Sequence, residues 1–431
     1  MASYQSTRPM IEVTKTRFWK SPRVGCRLNA HIFGYSSVND RRLVGTIGEN
    51  DFDQVGKTVL GQTAASLIYS GDDGRNWRQE EPFSVIRETD EGIIHEVPQT
   101  VFLDAHHDIC LFFYLRRWVK IPHAVRQDIK KYSHQLYRIS KDGGRTWGDE
   151  HVLVQKGDEY DQTHYARGIR FGYNAGFVTN EPIQLRNGKI LAPLFLWPWD
   201  EKLKAANAMK KQCAVLIGTW DQTLSRIEWD LGEYTQLTDE TGSLSEITVA
   251  ELDDGTILGI MRAGSSSRGG WGKFYCISND GGWTWSKPQR LAYDNGEPLY
   301  SPSSISRLIR SSRNGKLYWI ANILPYRQDM YVNTPSNLVR FVLQIAEVNE
   351  ENHGIKKETV TTIDESEDLE NPKEYSNLSV YEHRDSGNFI LTMCEACALP
   401  LRGSETPDTY QGPFMTEESF TSHTYQYEIK L

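Results

Sequence analysis

The sequence predicts an all-β fold: a six-bladed β-propeller of four-stranded antiparallel blades, closed by pairing of its N- and C-terminal strands. Three observations carry that prediction: a turn repeated at a fixed period, apolar hairpins recurring between the turns, and an unpartnered strand at each end. The turn reads SGDDGRNW at 70–77, SKDGGRTW at 140–147 and SNDGGWTW at 278–285. Its third-position aspartates, Asp72, Asp142 and Asp280, stand 70 and 138 residues apart, the second interval being twice 69. A chain of 431 residues holds close to six such periods, and a repeat of this kind marks units that must stack to bury a core.

Taken in order, the chain opens on IEVTKTRFWK, a strand with no hairpin partner before it. It ends on HTYQYEIKL, a strand with none after it, so the two ends are expected to share a blade. Between them, IQLRNGKILAPLF and VAELDDGTILGIMR place Asn-Gly and Asp-Gly between alternating apolar residues, the signature of a tight hairpin. LIRSSRNGKLYWIAN and SVYEHRDSGNFILTMCE repeat the pattern for the fifth and sixth blades. The skipped copy of the turn falls in CAVLIGTWDQTLSRIEWD, a β-rich run reaching Trp229 with its turn rewritten, and one period later FVLQIAEVNEENHG ends in the acidic turn Asn349 to Glu351. Each unit supplies about four strands, one propeller blade, and residues 1–431 are expected to form one propeller domain.

Composition agrees and excludes several functions. Aromatics make up 11% of the residues, and Gly 34 with Pro 17 suits short strands and many turns. A net charge of -9 without a Lys/Arg block argues against nucleic acid as partner, and an anionic ligand would need a local patch of arginine. The longest apolar stretch, ILAPLFLWPW, is half a membrane span, and the first twenty residues lack an apolar signal core. No membrane association is therefore expected, and the chain is cytoplasmic or secreted with a leader already removed. The six cysteines read as core thiols; CEAC at 394–397 lacks a second metal-ligating pair, so no metal and no cofactor is expected.

In the repeated turn, Asp can accept hydrogen bonds from nearby backbone N–H and hydroxyl groups, Gly adopts a conformation disfavoured for other residues, and Trp packs beneath the next strand. These are folding roles. Three such turns at blade spacing resemble the Asp boxes of the sialidase superfamily, and the resemblance runs from about Arg27 to Glu395. EPIQLRNGKILAP, EITVAELDDGTILGIMR and YSNLSVYE are similar to further segments of that family.

In a propeller, the starts of first strands and the ends of second strands converge on one central mouth. Here the starts are Arg27, His95 with Glu96, Asn180 with Glu181, Glu246, Ser303 with Ser304, and Tyr375. The ends are 49–53, Arg116 with Arg117, Asp200, Arg262, Arg327 and Glu395. Acids, arginines and a tyrosine around a concave centre suit an anionic ligand and acid-base chemistry. The resemblance implies an exo-acting glycosidase that releases a terminal acidic sugar: Tyr375 as nucleophile, Glu246 as its base partner, and Asp51, or else Asp53, as acid/base. It also implies three arginines for the sugar carboxylate, matched by Arg27, Arg262 and either Arg340 or Arg327, with Arg340 preferred because it opens a third strand. His95, Arg116 and Glu395 complete the candidate binding set. An alternative is a propeller lyase that cleaves uronate glycans by β-elimination, for which His95, His164, Tyr165 and Arg116 could supply the groups. A non-catalytic binding propeller would instead favour aromatic and neutral residues at the mouth.

Overall fold

The computed structural model describes residues 11–55, 62–90, 92–120, 132–162, 164–169, 176–200, 202, 205–206, 210–264, 272–324, 336–368, 370–400 and 412–431. Six antiparallel sheets follow one another along the chain, each with four principal strands. The first blade runs Cys26–Tyr35, Leu43–Asp51, Gln62–Ser70 and Arg78–Gln79, and the second Gly92–Asp104, Ile109–Lys120, Tyr132–Ser140 and His151–Val152. The third comprises Gly176–Val178, Ile190–Leu196, Gln212–Asp221 and Arg226–Leu231; the fourth comprises Leu244–Glu251, Ile257–Ala263, Lys273–Ser278 and Gln289–Arg290. The fifth is Arg307–Arg310, Leu317–Ala321, Val342–Glu347 and Thr361–Glu365.

The sixth blade joins the chain ends as the sequence predicts. Ser379–Glu382, Phe389–Cys394 and Thr424–Lys430 are completed by Glu12–Trp19, which pairs with Thr424–Lys430 from Glu12↔Lys430 to Trp19↔Thr424. The core consists of layers between neighbouring blades rather than a single centre. Phe113 and Tyr137 of the second blade pack with Leu194 and Trp229 of the third, and Trp319 of the fifth packs with Leu258 and Ile260 of the fourth. Ile32 and Leu43 of the first meet Tyr381 and Ile390 of the sixth, which closes the ring. Trp229, expected in the worn repeat, is 1% exposed.

The three repeated turns share one set of hydrogen bonds. In the second, Ser140 Oγ donates to Asp142 Oδ1 at 2.7 Å and accepts from Gly144 N at 2.7 Å. The backbone N–H and hydroxyl of Thr146 then donate to Asp142 Oδ1 at 2.9 Å and Oδ2 at 2.6 Å. Asp280 repeats every one of these bonds, and Asp72 does so with Asn76 in place of Thr. Gly144 has φ 76°, a left-handed conformation that explains the glycine. In the rewritten turn of the third blade, Asp221 Oδ1 instead accepts from Thr223 N at 2.8 Å and Leu224 N at 3.0 Å.

Candidate functional site

Glu246 lies near the start of the fourth blade's inner strand, where the pairing with Ile257–Ala263 shifts register between Ser245 and Thr248. Its backbone has φ 50°, unusual for a residue with a side chain. Asn180, from the third blade, accounts for the hold: its Nδ2 donates to the carbonyls of both Glu246 and Ile247. Arg262 returns along the neighbouring strand opposite Ser245, and its Nη1 reaches both Glu246 oxygens, at 2.8 and 2.9 Å. The sequence interval between Glu246 and Arg262 is thus one hairpin.

Ser303 joins this pair to the next blade. Its hydroxyl accepts from Arg262 Nε at 2.8 Å, while its carbonyl accepts from Arg340 Nη2 at 2.6 Å and Nε at 3.2 Å. Arg340 also forms an ion pair with Glu374. Burial would raise the Glu246 carboxyl, but Arg262, then Arg340 and Lys273, more than offset it and hold it below its ordinary range. Lys273 is fully buried and donates to the Pro302 carbonyl at 2.9 Å and to the Ser304 carbonyl, which secures the segment carrying Ser303. Burial, reinforced by Arg262, pushes the Lys273 amine well down.

Arg27 sits on the first blade with its guanidinium 4.6 Å above the Phe420 ring. Its Nε and Nη2 are buried without a hydrogen-bond partner. The Cys394 thiol, raised by burial, lies within electrostatic reach of both Arg27 and Glu374. Arg307 of the fifth blade reaches past the fourth to Asn180 and Glu181 of the third. Glu181 and Arg307 line an axial cavity of about 330 Å³ together with Phe33, Phe102 and Tyr381.

Other expected site residues are engaged by different partners, although the Tyr375 backbone N–H donates to the Arg340 carbonyl at 2.9 Å. Tyr375 is 3% exposed, and its hydroxyl donates to the Glu365 carbonyl at 3.2 Å; it is not hydrogen-bonded to Glu246. Burial, then the carboxylates of Asp364 and Glu395, raise this phenol well above its ordinary range. Asp51 is ion-paired with Arg23 and accepts from Thr63 Oγ1 at 2.9 Å, and Asp53 accepts from Gln54. Glu395 is ion-paired with Lys15 of the closing strand.

Arg116 is occupied by Glu96 at 2.6 Å and by both oxygens of Glu150 at 2.8 Å, beside a cavity of about 590 Å³ between the first two blades. His95 is fully buried with both ring nitrogens unpartnered, and burial, then Arg117, lowers it to about 4. Tyr165 is buried on the Gly176 carbonyl, and His164 contacts the Glu159 carbonyl. The groups weighed for β-elimination are therefore not assembled around one point. Arg327 lies outside the described residues. Cys394 and Cys397 are buried free thiols, and no metal-ligating cluster occurs among the described residues.

Sequence reading missed Lys273, Arg307 and Glu374. Glu374 adjoins Tyr375 and could have been noticed; Lys273 opens a third strand, as Arg340 nearly does. Arg307 carries no local signal, because its partners belong to another blade.

A closed ring of six antiparallel blades, with Arg262 and Arg340 meeting on Ser303, is a six-bladed β-propeller carrying a cationic site. The chain belongs to the BNR repeat-like domain family, whose model matches residues 61–385. Among solved structures it is similar to a protein of unknown function from Dyadobacter fermentans DSM 18053, at 13% identity over 98% of this chain and 100% of that one, with a TM-score of 0.61. The NanB sialidase from Streptococcus pneumoniae matches at 13% identity over 96% of this chain and 70% of that one, TM-score 0.59. The intramolecular trans-sialidase from Ruminococcus gnavus matches at 12% identity over 93% and 94%, TM-score 0.54. At such identities the likeness establishes the fold. No curated protein matches the sequence.

Proposed function

We propose that the chain is a glycoside hydrolase of the sialidase type, which binds a terminal acidic sugar at the mouth and releases it. The observation supporting this is the arginine arrangement: Arg262 and Arg340 meet on Ser303, and Arg27 keeps two buried donors unmet. Buried, unsatisfied guanidinium donors are costly. A carboxylate offers two acceptors in the geometry that a guanidinium fork matches.

A sugar with its carboxylate on the anomeric carbon repels an anionic nucleophile, whereas a neutral phenol avoids that repulsion. In this reading Tyr375 leaves the Glu365 carbonyl, gives its proton to Glu246, and its oxygen bonds to the anomeric carbon. The bond to the leaving oxygen breaks as that oxygen takes a proton from Asp51; water, giving a proton to Asp51, then displaces Tyr375, whose oxygen recovers its proton from Glu246. Substrate helps to arm the site, because a carboxylate that draws Arg262 toward itself frees Glu246 to accept a proton.

A fluorogenic sialoside tests the proposal, run in parallel with uronate glycans monitored for the ultraviolet absorbance of an unsaturated product. Fluorophore release that disappears in Arg262→Ala is expected. Absorbance growth on uronates without sialoside turnover would move the reaction to β-elimination.

A further inference from the structure

A groove of about 550 Å³ opens on the outside of the ring, where the strand Glu12–Trp19 passes the first repeated turn. Phe18, Trp19 and Trp77 form its aromatic wall, with Phe18 edge-on to the two indoles at 5.7 and 5.4 Å. Arg17, Lys20 and Arg75 supply its charge, and no carboxylate is among its lining residues. Neighbouring cations are neutralised: Lys15 by Asp364 and Glu395, Arg41 by Asp73 and Asp385. Arg17, Lys20 and Arg75 are exposed and have no ion pair among the described residues. The carboxylates that feel Arg75, Asp72 and Asp385, are each held by other groups. In a chain of net charge -9 this is a local inversion of sign.

The groove does not end at the turn. Trp19 and Lys20 also wall a smaller cavity of about 150 Å³ that passes Leu28 and Ala64 to reach Glu49. Glu49 shares Arg23 with Asp51, so the two cavities follow the first blade toward the mouth.

We propose that this groove binds an anionic polysaccharide, with the apolar face of a sugar ring against the aromatic wall and carboxylates or sulfates on Arg17, Lys20 and Arg75. Its volume is that of a small-ligand pocket, and cations beside aromatic rings suit a ligand with one acidic and one apolar face. A single strand of nucleic acid carries a comparable charge per residue, so DNA is the competing outcome of the test. The groove's chemistry is independent of the mouth's, and the two readings stand or fall separately.

Tryptophan fluorescence titration tests this with polygalacturonate, which carries carboxylates alone, and heparin, which also carries sulfates. Dextran serves as the uncharged control, and a single-stranded DNA oligonucleotide as the competing polyanion. Binding of at least one acidic polysaccharide is expected, weakening as salt rises. It should fall roughly tenfold or more in the Arg17→Ala/Lys20→Ala/Arg75→Ala variant, whose substitutions are all on exposed side chains. A preference for heparin would assign sulfate as the recognised group, and parity would assign carboxylate. Undiminished binding by the triple variant, tighter binding of DNA, or no binding of either polysaccharide would overturn the proposal. The readout is binding, so it is separate from the turnover that tests the mouth.

Discussion

Asn180 fixes Glu246 through its backbone: Asn180 Nδ2 lies 3.0 Å from the Glu246 carbonyl oxygen and 2.7 Å from that of Ile247. One amide from the third blade thus secures a residue in the fourth whose φ of 50° is itself unfavourable. Asn180→Ala removes that hold and leaves two buried carbonyls without their donor. Stability should fall by about 1–3 kcal/mol in a urea titration. If Glu246 serves as the base, kcat should fall more than KM changes.

Glu246 also predicts a pH dependence. Its folded pKa lies below the usual 4.5, since Arg262, Arg340 and Lys273 outweigh the effect of burial. A lowered carboxyl contributes stability that is complete above the unfolded value and is lost as pH falls through the folded one. Glu246→Gln should therefore cost about 1–3 kcal/mol at pH 7. The gap from wild type should narrow below pH 4.5, read from urea midpoints across the range.

Arg27→Met separates stability from function. The substitution removes buried donors that have no partner and keeps an apolar stem above Phe420, so melting temperature should hold or rise. Substrate binding should weaken by roughly tenfold or more, seen in KM, because a charge-assisted fork is gone. A variant with unchanged KM would remove Arg27 from the binding set.

For Tyr375→Phe, the lost bond to the Glu365 carbonyl should cost only about 1 kcal/mol. Turnover of the sialoside should fall roughly 10³-fold or more if the phenol is the nucleophile. Turnover that survives the change would leave Tyr375 as a core residue of the fifth and sixth blades.

Asp142→Ala tests the repeated turn as a folding element. It deletes an acceptor for two backbone N–H groups and two hydroxyls, and should lower stability by about 1–3 kcal/mol. Turnover below the melting transition should be unchanged, since none of those partners belongs to the mouth.

The fold was legible because its signals are local. The Ser140–Asp142–Thr146 bonds span seven residues, so every repetition leaves the same short spelling, and the rewritten turn at Asp221 still kept its strands. Glu246 and Arg262 were legible for a related reason: one hairpin joins them. What could not be read was which charges would neutralise one another across blades. Arg116 looks available until Glu150 folds against it, and Glu395 looks like a mouth residue until Lys15 arrives from 380 positions away. The orientation of Tyr375 is set nearer by, at the Glu365 carbonyl ten residues earlier on the fifth blade's outer strand, but no spelling in the sequence announces it.

The pairing of Glu12–Trp19 with Thr424–Lys430 also orders events in time. A ribosome releases the first of these strands early and the second only after some four hundred intervening residues have been translated. Until then the edge of Glu12–Trp19 that will pair with Thr424–Lys430 has no neighbour, and the sixth blade is incomplete. Five blades can accumulate as synthesis proceeds, but cooperative closure must wait for the last. During that interval the nascent chain carries an open strand edge, the surface on which a chaperone or a second nascent copy would act first.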